Sequence, residues 1–349
     1  MCQLDTMQPD KFTIHFVIVS PSRWGRTLLA AAAASPLVTF AGVTSRDQAN
    51  ARSIVDQFGG RIYASYEAVL DDPAVDAVLL PTPNFLHCDQ AMAALRAGKH
   101  VLVEKPIANT VDQAHQMQAE ARTRGRVLAV GMQGRRTGAA QMVKRMIDDG
   151  QLGRVCMATA MHGAPLLNGR DADSWYMDAE KVPGGPLDQL AVHYFDLLAY
   201  FFGPVKRVTG AYTRRAAPAT VPDAAAAILE MTDGTIVSYS TQQVSVYVSQ
   251  LILFGTQGAV HFKRFGQELL WEDVVPPAQA KADGPTIRPL EVTGAHPFTT
   301  ALTEEIEDFA RCILHGGTPL VGSDEGIAAL RVARAVMEAW DTGQVVELS

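Results

Sequence analysis

Two side chains in this sequence are of a type and in a setting to carry a proton during catalysis, Lys105 and His193. Lys105 closes the run DAVLLPTPNFLHCDQAMAALRAGKHVLVEKP (76–106), which reads as strand, loop, helix and strand, with Glu104 before it and Pro106 after it. An amine is thereby placed at the carboxyl edge of a strand, where open α/β sheets bind ligands. Pro106 fixes its own φ, and the bond before it can be cis at modest cost, so the backbone carrying Lys105 can be held in one unusual direction. Glu104 and Lys105 point to opposite faces of the strand, which makes a direct ion pair between them awkward and leaves the amine for chemistry. His193 lies in Gly184-Gly185-Pro186-Leu187-Asp188-Gln189-Leu190-Ala191-Val192-His193, a glycine pair leading into a helix. Four residues of α-helix put Gln189 and His193 on one face, whereas Asp188 is about 100° round. Gln189 can orient an imidazole or bind a hydroxyl, but it cannot act as a carboxylate base, so acid-base work falls to Lys105 and His193. Taking the proton of a hydroxyl whose carbon loses hydride is the reaction such a pair suits.

A hydride needs an acceptor. After the first strand a dinucleotide-binding fold wants glycines, because a Cβ there obstructs approach of the backbone to the pyrophosphate at the helix N-terminus. The corresponding run is Ser20-Pro21-Ser22-Arg23-Trp24-Gly25, which keeps only the last glycine. Serine is the smallest side chain after glycine and alanine, its hydroxyl can donate to phosphate, and Arg23 and Arg26 add positive charge. A non-glycine residue in a left-handed conformation costs about 1 kcal/mol, which several phosphate hydrogen bonds offset. At the end of the second strand an acid suits the ribose hydroxyl of NAD, whereas a small residue with an arginine suits a 2′-phosphate. The chain has Ser45-Arg46, and Asp47 falls two positions late and begins the next helix. NADP(H) is the favoured cofactor, with NAD(H) as the second choice.

The elements around these residues alternate. FTIHFVIVS (12–20), VTFAGVTS (38–45), AVDAVLLP (74–81), HVLVE (100–104) and VLAVG (127–131) read as buried strands. Helices are expected over Thr27 to Ala34, 49–60, 88–97 and 111–125, so the first domain is a doubly wound parallel sheet, a Rossmann domain ending at Gly131. Residues 132–349 change character and form an α+β domain: a helix at about 138–149, a strand at 153–162, and an irregular stretch from 162 to 185 whose length points to function. Strands follow at 205–215, 224–232, 235–243, 249–256, 259–265 and 269–274, with an Asp-Gly hairpin at 232–235, and form a large, mostly antiparallel sheet. Two helices, 299–316 and 323–343, close the chain, each ended by a glycine.

Bulk properties narrow the partners. A chain of 349 residues is long for one core. Hydrophobic content of 48%, charged content of 19% and 7% aromatics describe a globular protein, and no apolar run approaches the roughly 18 residues of a membrane span. The net charge of −7 argues against nucleic acid. Cys2, Cys88, Cys156 and Cys312 are scattered, which suits reduced, mostly buried thiols, and no cluster suggests a metal. The first eleven residues carry acids and no apolar core, so a cytoplasmic address is expected.

The segment from Thr82-Pro83-Asn84 through His87 and GKHV (98–101) to Glu104-Lys105-Pro106 resembles the Gfo/Idh/MocA family of NAD(P)-dependent oxidoreductases, whose hallmark is a Glu-Lys-Pro at this place. The Gly184 to Asp196 run resembles the family's second signature, with Gln189 where the family has aspartate. The likeness extends over the whole order of elements. It implies that Pro81, Thr82, Asn84 and His87, with Glu104 and Lys105, line the nicotinamide side, and that His193 is functional. It further implies that Arg135 lies near the mouth of the site and that Asp188 and Gln189 face substrate. The substrate would be a sugar, cyclitol or other polyhydroxy compound. Trp175 and Tyr176 suit a sugar-stacking wall and suit loop anchoring equally. Members commonly form dimers or tetramers through the open face of the second sheet, and Ile236, Val237, Leu251 and Leu253 fit such a face or a core. Two other readings differ in class: a cofactor-binding sensor without turnover, supported by Ser20, Ser22 and Gln189, and a redox-neutral glycoside-cleaving enzyme that retains its nicotinamide.

Overall fold

The computed structural model describes residues 13–216, 219–275, 286–292 and 298–348. The chain divides into two compact units, the first running to Glu104 and taking in Gln116–Gly131 and Leu302–Gly322. The sequence-based division at Gly131 left residues 302–322 in the second domain. They join the first because Val130 N–H donates to Val321 O (3.1 Å) and Thr303 Oγ1 donates to Ala31 O (3.1 Å).

The first unit is built from β1 (Ile14–Val19), α1 (Arg23–Ala32), β2 (Val38–Thr44), α2 (Gln48–Phe58), β3 (Arg61–Ile62), α3 (Tyr66–Leu70), β4 (Ala77–Leu80), α4 (His87–Arg96), β5 (His100–Glu104), α5 (Val111–Arg124), which runs on from the second unit, and β6 (Leu128–Gly131). Its six strands are all parallel, in the order β3-β2-β1-β4-β5-β6. The order reverses between β1 and β4, and at such a switch point the loops beyond the strand ends diverge and leave a crevice for a ligand. β4 and β5 bury every residue but His100, which is why they read as unbroken apolar runs. Lys99, between α4 and β5, is buried and structural: its ammonium donates to the carbonyls of Asp72 (2.6 Å) and Val75 (2.9 Å). The short β3 and α3 have no run long enough to be read from sequence, and α1 starts four residues before the expected Thr27 because Ser22 is its N-cap.

The second unit holds Lys105–His115, the run from Met132 to Ala301 and the chain from Ser323. Its elements are α6 (Gly138–Asp148), β7 (Val155–Gly163), α7 (Val192–Phe202), β8 (Val205–Thr213), β9 (Ala224–Met231), β10 (Ile236–Gln242), β11 (Val248–Gly255), β12 (Gly258–Lys263), β13 (Glu268–Asp273) and β14 (Ile287–Pro289). After them α8 (Phe298–His315) leads out to the first unit, and α9 (Ser323–Thr342) and β15 (Val346–Glu347) return. The nine strands order as β14-β13-β12-β11-β7-β10-β9-β8-β15, antiparallel except for the β7–β10 pair. β7 is central and alternates, with Ala158, Ala160 and His162 buried on one face and Met157 and Met161 exposed on the other. The Asp233-Gly234 hairpin is present, with Gly234 at φ 91°.

Val237, Leu251 and Leu253 are fully buried core residues, and the exposed apolar face is made by Met157, Met161, Ile228, Ile236 and Phe254. The pleat decides this, since residues one apart in a strand face opposite ways. Cys88 and Cys312 are buried free thiols, but Cys156 is exposed, and Cys2 lies outside the described residues. Among the described residues no group of acids, histidines and cysteines could hold a metal, and no helix is long and apolar enough to cross a membrane.

Candidate active site

The loop after β1 is shaped by backbone. Ser20 stands at φ 45°, the left-handed conformation that glycine adopts without penalty, and its N–H is held by Thr44 O at 2.7 Å. Gly25 is required for a different reason: a Cβ there would lie 2.5 Å from Pro21 Cβ and 3.2 Å from Pro81 Cγ. This is the glycine that lets the helix pack close against the strands. Ser22 caps α1 without a side-chain hydrogen bond, and the first turn contains no acid. The positive end of the α1 dipole is thus open to an anion, which fits a pyrophosphate. Arg23 is exposed beside it, whereas Arg26 donates to Asn50 Oδ1 (2.7 Å), and Asn50 in turn donates to Pro21 O (2.7 Å). Arg26 therefore braces the loop.

Beyond β2, Asp47 is engaged as the N-cap of α2, its Oδ1 accepting from Asn50 N at 3.0 Å. Ser45 Oγ accepts from Asp47 N (3.2 Å), and Arg46 is exposed. At the edge of β4, Pro81, Thr82 and Asn84 are buried, and His87 is fully buried with Nε2 2.8 Å from Thr82 O. His87 thus braces the 82–86 loop from beneath. Trp24 Nε1 donates to Glu104 Oε1 at 2.5 Å, and a Cβ on Gly131 would meet that carboxylate at 2.8 Å. Glu104 is therefore a buried acid tying the start of α1 to the end of β5.

In the second unit, the Lys105-Pro106 peptide is cis, and Lys105 Nζ donates to Gln189 O at 2.7 Å. That carbonyl belongs to a π-helical turn, Leu187–Ala191, which leads directly into α7 and His193. A π turn carries one residue more than an α turn, so the α-helical spacing used to place Gln189 over His193 does not hold across it. The His193 Nδ1 atom is buried with no hydrogen-bond partner. Burial holds this imidazole well below its ordinary pKa, and the charges of Lys105 and His162 add to the effect. His162, from β7, lies alongside with a centroid separation of 6.3 Å, and its Nδ1 is 3.0 Å from Leu190 O. Burial lowers the His162 pKa to about 4 against an opposing hydrogen bond to Leu190 O, and Lys105 lowers it further. Both rings are neutral at pH 7 beside a single amine.

Comparison with known proteins gives the family and the fold. The profile of an oxidoreductase family with an NAD-binding Rossmann fold matches residues 14–132, and that of the GFO/IDH/MocA C-terminal domain matches 140–261. The chain belongs to the GFO/IDH/MocA family. It is 29% identical over 296 residues to 1,5-anhydro-D-fructose reductase of Ensifer adhaerens, covering 83% of this chain and 84% of that one. It is also 29% identical over 313 residues to D-xylose 1-dehydrogenase (NADP(+)) 2 of Haloferax volcanii, covering 88% and 91%. The structure of aldose-aldose oxidoreductase from Caulobacter crescentus superposes with a TM-score of 0.85 at 24% identity, over 96% of this chain and 100% of that one, and shows a shared fold.

In this GFO/IDH/MocA oxidoreductase several polar residues read as substrate contacts turn out to be braces. Asp188 is fully buried and bidentate with Arg334 of α9, at 2.7 and 3.1 Å, and its Oδ2 also accepts from Gly184 N at 2.8 Å. Arg334 continues to Asn109 O, at 2.8 and 3.1 Å, so α9, the π turn and the segment after Lys105 are locked together. Gly184 leaves room for this lock, since a Cβ there would sit 2.5 Å from Asp188 Oδ1, whereas a Cβ on Gly185 would run into Pro222 O. Arg135 is likewise bound to Asp196, with Nη2 at 2.7 Å and Nε at 2.9 Å, one helical turn beyond His193. Burial raises Asp196 to about 6 against the pull of Arg135.

Trp175 and Tyr176 lie 3.9 Å apart and pack on a cluster of Leu167, Met177 and Val182 from the loop with Val221 from the β8–β9 connection, and Arg170 lies over the Tyr176 ring. They anchor the long loop. Sequence reasoning missed His162 and Phe265. His162 was legible as the inward-facing residue two after Ala160, because alternation along β7 puts the two on one side. Phe265 had no local signal, since its position depends on a turn that aromatic residues rarely enter.

Proposed function

We propose that the protein is an NADP(H)-dependent oxidoreductase that interconverts a hydroxyl and a keto carbon on a sugar, cyclitol or related polyhydroxy compound, with Lys105 and His193 as its acid-base groups. The observation that carries the reading is the bond from Lys105 Nζ to Gln189 O, which joins the Glu-Lys-Pro segment to the turn that delivers His193. The nicotinamide, when bound, supplies or accepts the hydride. Lys105 and His193 then handle the hydroxyl proton. A neutral imidazole accepts it in the oxidative direction, and the ammonium steadies the developing alkoxide. Ser45 and Arg46 suit a 2′-phosphate because the nearby Asp47 is already engaged on α2. The polyhydroxy substrate is supported by the sugar reductase and dehydrogenase to which the chain is similar. Met157, Met161, Ile228, Ile236 and Phe254 form an apolar sheet face suited to a second copy of the chain.

A sugar and polyol panel with NADP+ and NADPH tests the assignment, with Lys105→Met as its control. The variant is expected to lose about 10²- to 10⁴-fold in kcat. Near-normal turnover in Lys105→Met would remove the lysine from the mechanism, and nucleotide binding without turnover on any substrate would favour a sensor.

A further inference from the structure

The corner between β12 and β13 turns through three successive left-handed residues, Arg264 (φ 50°), Phe265 (φ 57°) and Gly266 (φ 85°). Only the last is glycine, and there a Cβ would lie 2.8 Å from Ala139 Cβ and 2.9 Å from Phe262 Cζ. The other two hold, with a Cβ, a conformation that only glycine enters without strain. An aromatic residue held in this conformation is informative, because such strain persists where the surroundings over-determine it. Here they do so through Ser249, whose Oγ accepts from Phe265 N at 2.9 Å while sitting 3.0 Å from the Tyr194 hydroxyl. The result is that the partly exposed Phe265 ring meets His162 at 5.2 Å and His193 edge-on at 5.5 Å.

We propose that Phe265 is a positioning residue for the acid-base pair assigned above: its ring, turned inward by the left-handed corner, walls both imidazoles off from water and so keeps His193 a neutral base. The inference rests on the proposed function for its catalytic meaning, but not for its geometry. An apolar wall acts by penalising the imidazolium, and burial is the first cause of the lowered pKa of both rings. The titratable groups around the pair are Lys105 after β5, Tyr194 on α7 and Tyr247 between β10 and β11, whose ring is 6.4 Å from His162. The carboxylates nearby in sequence, Asp188 and Asp196, are bonded to Arg334 and Arg135. Hydration is therefore the lever the wall controls.

The test is titration of the imidazoles by NMR in the histidine-labelled full-length chain, comparing wild type with Phe265→Ala and Phe265→Leu. The account expects the His193 pKa to rise by about one unit or more in Phe265→Ala, with His162 moving the same way, and by less than half as much in Phe265→Leu. The acid limb of kcat/KM should move up with His193. Unchanged imidazole titration in a folded Phe265→Ala protein overturns the proposal. If that variant does not fold, Ser249→Ala takes its place: a smaller rise in both rings supports the wall, and no rise overturns it. Because the NMR readout needs no turnover, a chain inactive on every sugar would defeat the functional assignment while leaving this claim to be judged on its own.

Discussion

The loop after β1 and the turn before α7 both depart from the residue patterns of their family, and they do so on different physical terms. In the loop the departure is absorbed by backbone: Ser20 adopts the left-handed conformation that glycine would, and Gly25, where a side chain cannot fit, is still glycine. In the turn the departure is one of side-chain chemistry, since Gln189 cannot act as a base as a carboxylate can. The neighbouring Asp188 does not make good the loss, because its carboxylate is committed to Arg334. A backbone site tolerates substitutions that respect φ and volume, and a side-chain site does not.

The sharpest way to break this contrast is at the brace. Arg334→Met leaves Asp188 buried and unpaired, and is expected to destabilise the protein by about 3–5 kcal/mol, read from denaturant unfolding. A loss under 1 kcal/mol would mean the lock is incidental. The next effect is a pH dependence. His162 folds with its pKa lowered from 6.5 to about 4, so between those values the unfolded chain binds the extra proton and stability falls as pH falls. Relative to His162→Gln, the wild type should lose about 3 kcal/mol between pH 7 and pH 4. A difference independent of pH would show that His162 takes up its proton in the fold as it does in the unfolded chain. The smallest effect is predicted for Ser20→Gly, which relieves the left-handed serine: nucleotide affinity within about threefold and stability within about 1 kcal/mol of wild type, by titration and melting. A large gain in affinity would mean that the serine, and not the backbone, limits the site.

The regular elements and the two signatures were legible because each rests on local chemistry. Buried parallel strands read as apolar runs, helix ends carry glycine, and Asp47 is a recognisable N-cap. What could not be read was pairing at long range. Asp188–Arg334 spans 146 residues and Arg135–Asp196 spans 61, so charged residues that look available in sequence are consumed in the fold. The π turn was hidden for the related reason that sequence spacing assumes α geometry, and Phe265 because a strained backbone is set by its neighbours. Val237 fits a face or a core from sequence alone, and strand alternation decides it by turning Val237 inward and its neighbour Ile236 outward.

In the function proposed above, the Ser20–Gly25 loop binds a nicotinamide dinucleotide despite its missing glycines, with Ser45-Arg46 selecting the 2′-phosphate. Calorimetric titration of the purified chain with NADPH and NADH, repeated on Arg46→Ala, tests it most directly. NADPH is expected to bind about tenfold or more tightly than NADH, and Arg46→Ala to erase the difference while leaving NADH affinity in place. Binding of neither nucleotide would contradict it, making the lost glycines decisive and the oxidoreductase assignment untenable for this chain.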